Sequence, residues 1–171
     1  MPDFDLDTLL ITAAGVTAFL AVVMVAAWAR RAQPGFGLWT LCQVLVAIAF
    51  YILMDREHFS EAALALLVPG LIVVGTTLRL EGLRHFLGRK KFDYRVLLVP
   101  IVTIAVIACL VFAVDSPPAR MMVSVAPVAL LCWTMAALIL RRSVGSDKTL
   151  YRVAGAVYAI YGAFLLAFGI L

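Results

Sequence analysis

Six apolar stretches of about twenty residues follow one another through this chain, separated by short polar breaks. A helix needs about 20 predominantly apolar residues to cross the hydrocarbon of a bilayer. Inside that hydrocarbon every backbone N–H and C=O must be satisfied by the protein itself, which leaves only helices and closed barrels. The stretches are rich in Ala, Leu and Val and lack the period-two alternation of barrel strands. The sequence therefore predicts an all-α, polytopic membrane helix bundle with six transmembrane helices. Composition agrees: 65% of residues are hydrophobic and 14% charged, where a soluble domain has about 45–50% and about 25%.

The predicted helices cover about residues 8–29, 37–54, 61–87, 93–114, 119–140 and 149–171. Arg30-Arg31 and Gln33-Pro34-Gly35 make the first break, and Asp55 to His58 the second. Gly88-Arg89-Lys90-Lys91, Asp115-Ser116-Pro117-Pro118 and Arg141 to Lys148 make the others. No long linker, low-complexity tract or evident repeat interrupts the series, so one domain over 1–171 is expected. Pro69-Gly70, Pro100 and Pro127 fall within predicted helices, where proline removes a backbone hydrogen bond and can kink the chain. Gly155, Ala159, Gly162 and Ala163 give the sixth helix a small-residue face suited to close helix contact, within the bundle or between protomers.

Basic residues set the expected orientation. Arg30 and Arg31 lie in the first break, Arg84, Arg89, Lys90, Lys91 and Arg95 around the third, and Arg141, Arg142, Lys148 and Arg152 around the fifth. These are eleven of the fourteen Lys and Arg, and all fall on one side. The positive-inside rule makes that side cytoplasmic and places the N-terminus outside. Trp28, Trp39, Tyr94 and Tyr151 occupy interfacial anchor positions on the same side. Asp3, Asp5 and Asp7 precede the first apolar run where a cleavable signal would carry basic residues, so that run reads as a retained helix. The chain stops at Phe168-Gly169-Ile170-Leu171 without a polar cap, which leads us to expect a longer protein with a further helix entering the cytoplasm.

The net charge of +4 does not mark a nucleic-acid binder, because the basic residues sit in short runs between apolar spans. Cys42, Cys109 and Cys132 lie inside spans without metal or redox spacing and read as small apolar residues. Haem needs axial ligands, and His58 and His85 are assigned to opposite sides. No cofactor and no catalytic or metal-binding residue is expected. Only the third helix carries ionisable groups away from its ends. Glu81 stands three and four residues before Arg84 and His85, so the three share a face, and Thr77 extends it by one turn. Arg79 points elsewhere. These groups read either as a polar relay or as a helix that has left the hydrocarbon, with Arg79 snorkelling. Gln43, Thr77, Thr134 and Tyr158 fall in the same half of the bilayer and either line an inner-leaflet pocket or hydrogen-bond helices together.

Several stretches resemble the polytopic N-terminal sensor region of bacterial diguanylate cyclases, the GGDEF-domain proteins. They are Asp5-Leu6-Asp7-Thr8-Leu9-Leu10, Arg30-Arg31, Gly35-Phe36-Gly37-Leu38-Trp39 and Gly82-Leu83-Arg84-His85-Phe86-Leu87-Gly88-Arg89. The chain departs from the pattern at Val68-Pro69-Gly70, where Asn is common. The resemblance implies a sensory domain in a bacterial inner membrane. It would bind a small apolar or amphipathic ligand, or respond to the bilayer, and regulate, as a homodimer, a cytoplasmic domain that joins two GTP into cyclic di-GMP. No Gly-Gly-Asp/Glu-Glu-Phe sequence occurs here, so no catalytic residue transfers and this chain alone is not expected to be an enzyme. A small-solute transporter or channel without ionisable mid-membrane coupling groups is the first alternative, and a structural assembly subunit the second.

Overall fold

The computed structural model describes residues 6–30, 33–89, 91–114, 117–141 and 148–170. Its helices are α1 (Leu6–Arg30), α2 (Phe36–Met54), α3 (Glu61–Phe86), α4 (Leu98–Cys109), α5 (Pro117–Arg141) and α6 (Lys148–Ile170). No strand occurs among the described residues. Six segments of 19 to 26 residues are long and apolar enough to cross a membrane. The protein is a multi-pass membrane protein whose apolar helices contact lipid.

The fourth span is not the uniform helix expected over 93–114. A 3-10 turn, Tyr94–Leu97, leads into α4, and a π-helical segment, Leu110–Val114, extends it. Asp93 explains the tight entry: its Oδ1 accepts the Arg95 N–H at 3.2 Å, a local bond that competes with α-helix. Pro100 is the third residue of α4, where an N–H would have no acceptor within the helix. It therefore does not interrupt α4. Pro69 and Pro127 do lie within α3 and α5. Pro117 and Pro118 open α5 instead of preceding it, since proline's fixed φ suits the first turn.

The chain divides into two compact units, Met1–Pro100 and Ile101–Leu171. In the first, α2 runs antiparallel to α3, and α1 packs on α2. Gly35, in the left-handed region at φ 83°, precedes α2 and meets Gly82 backbone to backbone. A Cβ at Gly82 would lie 2.7 Å from Gly35 O and 2.5 Å from Trp39 Cδ1. Two turns deeper, a Cβ at Gly75 would lie 3.3 Å from Cys42 O. Trp39 Nε1 donates across the pair to Arg79 O at 2.9 Å. Trp28 of α1 likewise covers Gly37 of α2.

The second unit repeats this contact with different residues. A Cβ at Gly162 would lie 3.1 Å from Ala129 O and 2.8 Å from Trp133 Cδ1. One at Gly155 would lie 3.5 Å from Ala136 O. Trp133 Nε1 donates to Ala159 O at 3.2 Å. On the leading helix of each pair the packed positions are thus 35, 39 and 42, or 129, 133 and 136. On the returning helix they are 75, 79 and 82, or 155, 159 and 162. Positions seven apart return to one face after two turns of a supercoiled pair, and small residues there bring the backbones together. The small-residue face expected on the sixth helix is used within its own hairpin.

The geometry ranks glycine substitutions. Gly82→Ala should destabilise by about 2 kcal/mol or more, because its new methyl meets backbone as well as indole. Gly75→Ala should cost less, since Cys42 need yield only slightly. Gly15 has open space around it, so Gly15→Ala should stabilise by up to about 1 kcal/mol through helix propensity. Unfolding titrations of the three variants in mixed micelles would check the order.

Candidate functional site

The polar groups of the first unit collect around the last two turns of α3 and the loop that follows. That loop begins with a glycine-dependent stop. Gly88 sits at φ 94°, Gly88 N–H donates to His85 O at 2.9 Å and Arg89 N–H to Arg84 O at 3.0 Å. This pair of bonds is the Schellman ending, in which the left-handed residue is glycine because a side chain would clash. It returns the chain so that Arg89 and Asp93 approach the end of the helix they have just left.

Glu81 lies at the centre. Its side chain is 0% exposed. Oε1 accepts from Arg84 Nη1 at 3.0 Å and from the Asp93 backbone N–H at 3.3 Å. Oε2 is buried with no hydrogen-bond partner, the single such side-chain atom among the described residues. Arg84 Nη1 also reaches Asp93 Oδ2 at 3.5 Å, and Arg89 Nη1 reaches the same oxygen at 3.5 Å. Two carboxylates therefore share two guanidinium groups, with Arg84 between the acids. A carboxylate taken out of water needs such pairing, since an uncompensated buried charge costs several kcal/mol.

A second polar bridge crosses all three helices of the unit. Arg79 Nη2 donates to Gln43 Oε1 at 3.3 Å, and Gln43 Nε2 points to Thr17 O in α1 at 3.5 Å. Arg79 does turn away from the Glu81 face, as its position in the helix indicated. The residue is half-buried, and its guanidinium is tied to α2 through Gln43. Hydrogen bonds of this kind between membrane helices are worth about 0.6 kcal/mol on average, and here they link α1 to α3 through a single α2 side chain.

The structure sorts the sequence candidates. It brings Glu81 and Arg84 together and gives Gln43 an interhelical role. Thr77 is buried, but its hydroxyl donates to Val73 O at 2.8 Å within its own helix. His85 packs against Gly35 at the α1–α2 turn. Thr134 belongs to the second unit, is exposed, and donates to Leu130 O at 2.8 Å; Tyr158 is half-buried in that unit. Sequence reasoning missed Asp93, whose signal was present: it is the one acid within the basic run from Arg89 to Arg95. No three His, Cys, Asp or Glu side chains among the described residues are grouped to hold a metal ion. No protein-family model, curated protein or solved structure matches this chain.

Removing Arg84 alone should be the most damaging change in this cluster. Arg84→Met strands Glu81 without its nearest cation and should destabilise the folded state by about 3 kcal/mol or more. The double variant Glu81→Leu with Arg84→Met should recover most of that loss, which denaturant titration of both proteins would measure.

Proposed function

We propose that this chain is a membrane-embedded sensory domain that regulates an attached cytoplasmic diguanylate cyclase domain. One observation carries the reading: a fully buried, half-satisfied carboxylate shares its arginine with the loop leaving α3. In this reading the network switches between two arrangements, with Arg84 held mainly by Glu81, as observed at 3.0 Å, or mainly by Asp93, which it already reaches at 3.5 Å. A stimulus that favours one helix arrangement biases that choice, and a ligand shifts such an equilibrium only by its differential affinity for the two states. On this reading the basic ends face the cytoplasm of a bacterial inner membrane, and catalysis belongs to the attached domain in a homodimer.

The residues that resemble the sensor family support this reading by their positions. Gly35 and Trp39 from one stretch interlock with Gly82 and Phe86 from the other; the rings of Trp39 and Phe86 lie 5.8 Å apart. Gly88 and Arg89 form the helix stop and the link to Asp93. For a stimulus, an open groove of about 570 Å3 runs along Val23, Ala26 and Ala27 to Phe36, with Arg30 and Gln33 at its polar end. Its lining suits a small amphipathic molecule.

The test uses the complete gene product. Coding sequence downstream of Leu171 should specify another helix and a GGDEF domain. In cells, Glu81→Gln should change cyclic di-GMP output roughly fivefold at unaltered membrane insertion, while Arg152→Gln should not. Absence of the cyclase sequence, or output that ignores Glu81→Gln, would overturn the proposal. So would solute-dependent flux through liposomes carrying this chain, which is the transporter's signature.

A further inference from the structure

We propose that Arg89, Lys91, Phe92, Asp93 and Arg95 line a binding site for the headgroup phosphate of an anionic phospholipid. An open cavity of about 470 Å3 is lined by Arg89, Lys91, Phe92, Asp93 and Arg95. The acid in this lining is already engaged. Asp93 Oδ1 accepts the Arg95 N–H, and Oδ2 faces both Arg84 and Arg89. Among the described residues no acid pairs with the Lys91 ammonium or the Arg95 guanidinium, and both side chains are exposed. The cavity thus offers two uncommitted cations and a third, Arg89, held by Asp93 at 3.5 Å. That is the donor set for a phosphate monoanion: Arg supplies a planar fork of N–H groups and Lys a point charge.

The surroundings select a lipid as the source of the phosphate. The Phe92 and Tyr94 rings lie 5.2 Å apart beside the cations. Tyr94 is 75% exposed and Leu98, at the start of α4, is 58% exposed. Tyrosine is enriched at the headgroup level of a membrane, with its apolar ring and polar tip. A short loop between two spanning segments also keeps its cations at that level. A phospholipid can place phosphate among Arg89, Lys91 and Arg95 while its chains lie along the exposed side chain of Leu98. A soluble anion would gain nothing from those apolar neighbours.

Native mass spectrometry of the full chain, released from mixed micelles of phosphatidylglycerol and phosphatidylcholine, reads this directly. Wild-type protein should retain phosphatidylglycerol selectively. Lys91→Gln with Arg95→Gln should lower that retention roughly tenfold, whereas Arg152→Gln leaves it unchanged. The charge-keeping pair Lys91→Arg with Arg95→Lys should restore at least half of it. Circular dichroism checks that each variant keeps its helix content; if the neutral pair unfolds, loss of the wild-type adduct with rising ionic strength supplies the same evidence. Equal retention by wild type and the neutral pair would overturn the proposal. Displacement of the lipid by an equal concentration of soluble glycerol phosphate would overturn the lipid assignment in favour of a free phosphate.

Discussion

Lipid tails are as apolar as the side chains they surround, so the hydrophobic effect does not press one membrane helix against another. What holds these helices is close approach: dispersion contacts summed along a seam, and the few hydrogen bonds that a short interhelical distance permits. Gly35 against Gly82 and Gly75 against Cys42 satisfy that constraint in the first unit. Gly155 and Gly162 against the Ala136 and Ala129 carbonyls satisfy it in the second. The tryptophan hydrogen bonds, Trp39 to Arg79 and Trp133 to Ala159, fix the register of each seam. Sliding by one residue would break the bond and drive a methyl-bearing side chain into the glycine's place.

The polar network depends on this packing. Gly82, which meets Gly35 and Trp39, follows Glu81 directly, and Glu81 is fully buried. Burial then makes Arg84 indispensable to Glu81, and the Gly88 stop delivers Asp93 and Arg89 to share the load. The same end of the helix is therefore both tightly packed and incompletely satisfied, through Glu81 Oε2.

The six helices were legible because hydropathy alone fixes them: five of the six expected spans match the observed helices to within two residues at each end (the last of these apart from Leu171, which lies outside the described residues). The fourth differed because a side-chain bond from Asp93, invisible to hydropathy, made its first turn 3-10. Glu81 and Arg84 were legible from helical spacing. Their partner was not, because Asp93 reaches them only after the reversal at Gly88, and sequence distance says nothing about a loop's return path. Depth in the bilayer offered Gln43, Thr77, Thr134 and Tyr158 two roles, lining an inner-leaflet pocket or hydrogen-bonding helices together. For the two threonines the hydroxyl finds a carbonyl one turn back, the default of such residues in a membrane helix. The seam was visible only in part: glycines seven apart in α3 and α6 stood in the sequence, but their partner helices could be assigned only from the fold.

The chain has three tryptophans, and each indole covers a glycine of a neighbouring helix: Trp28 on Gly37, Trp39 on Gly82, Trp133 on Gly162. Intrinsic fluorescence is consequently a map of helix adhesion in this molecule. Two of the indoles donate to a backbone carbonyl across the seam, and separation of either hairpin changes both the hydrogen bonding and the polarity around its emitter. Replacing two of the three with phenylalanine would leave a single-site optical gauge, so that parting of α1 from α2, of α2 from α3, or of α5 from α6 can be timed separately in an intact bilayer.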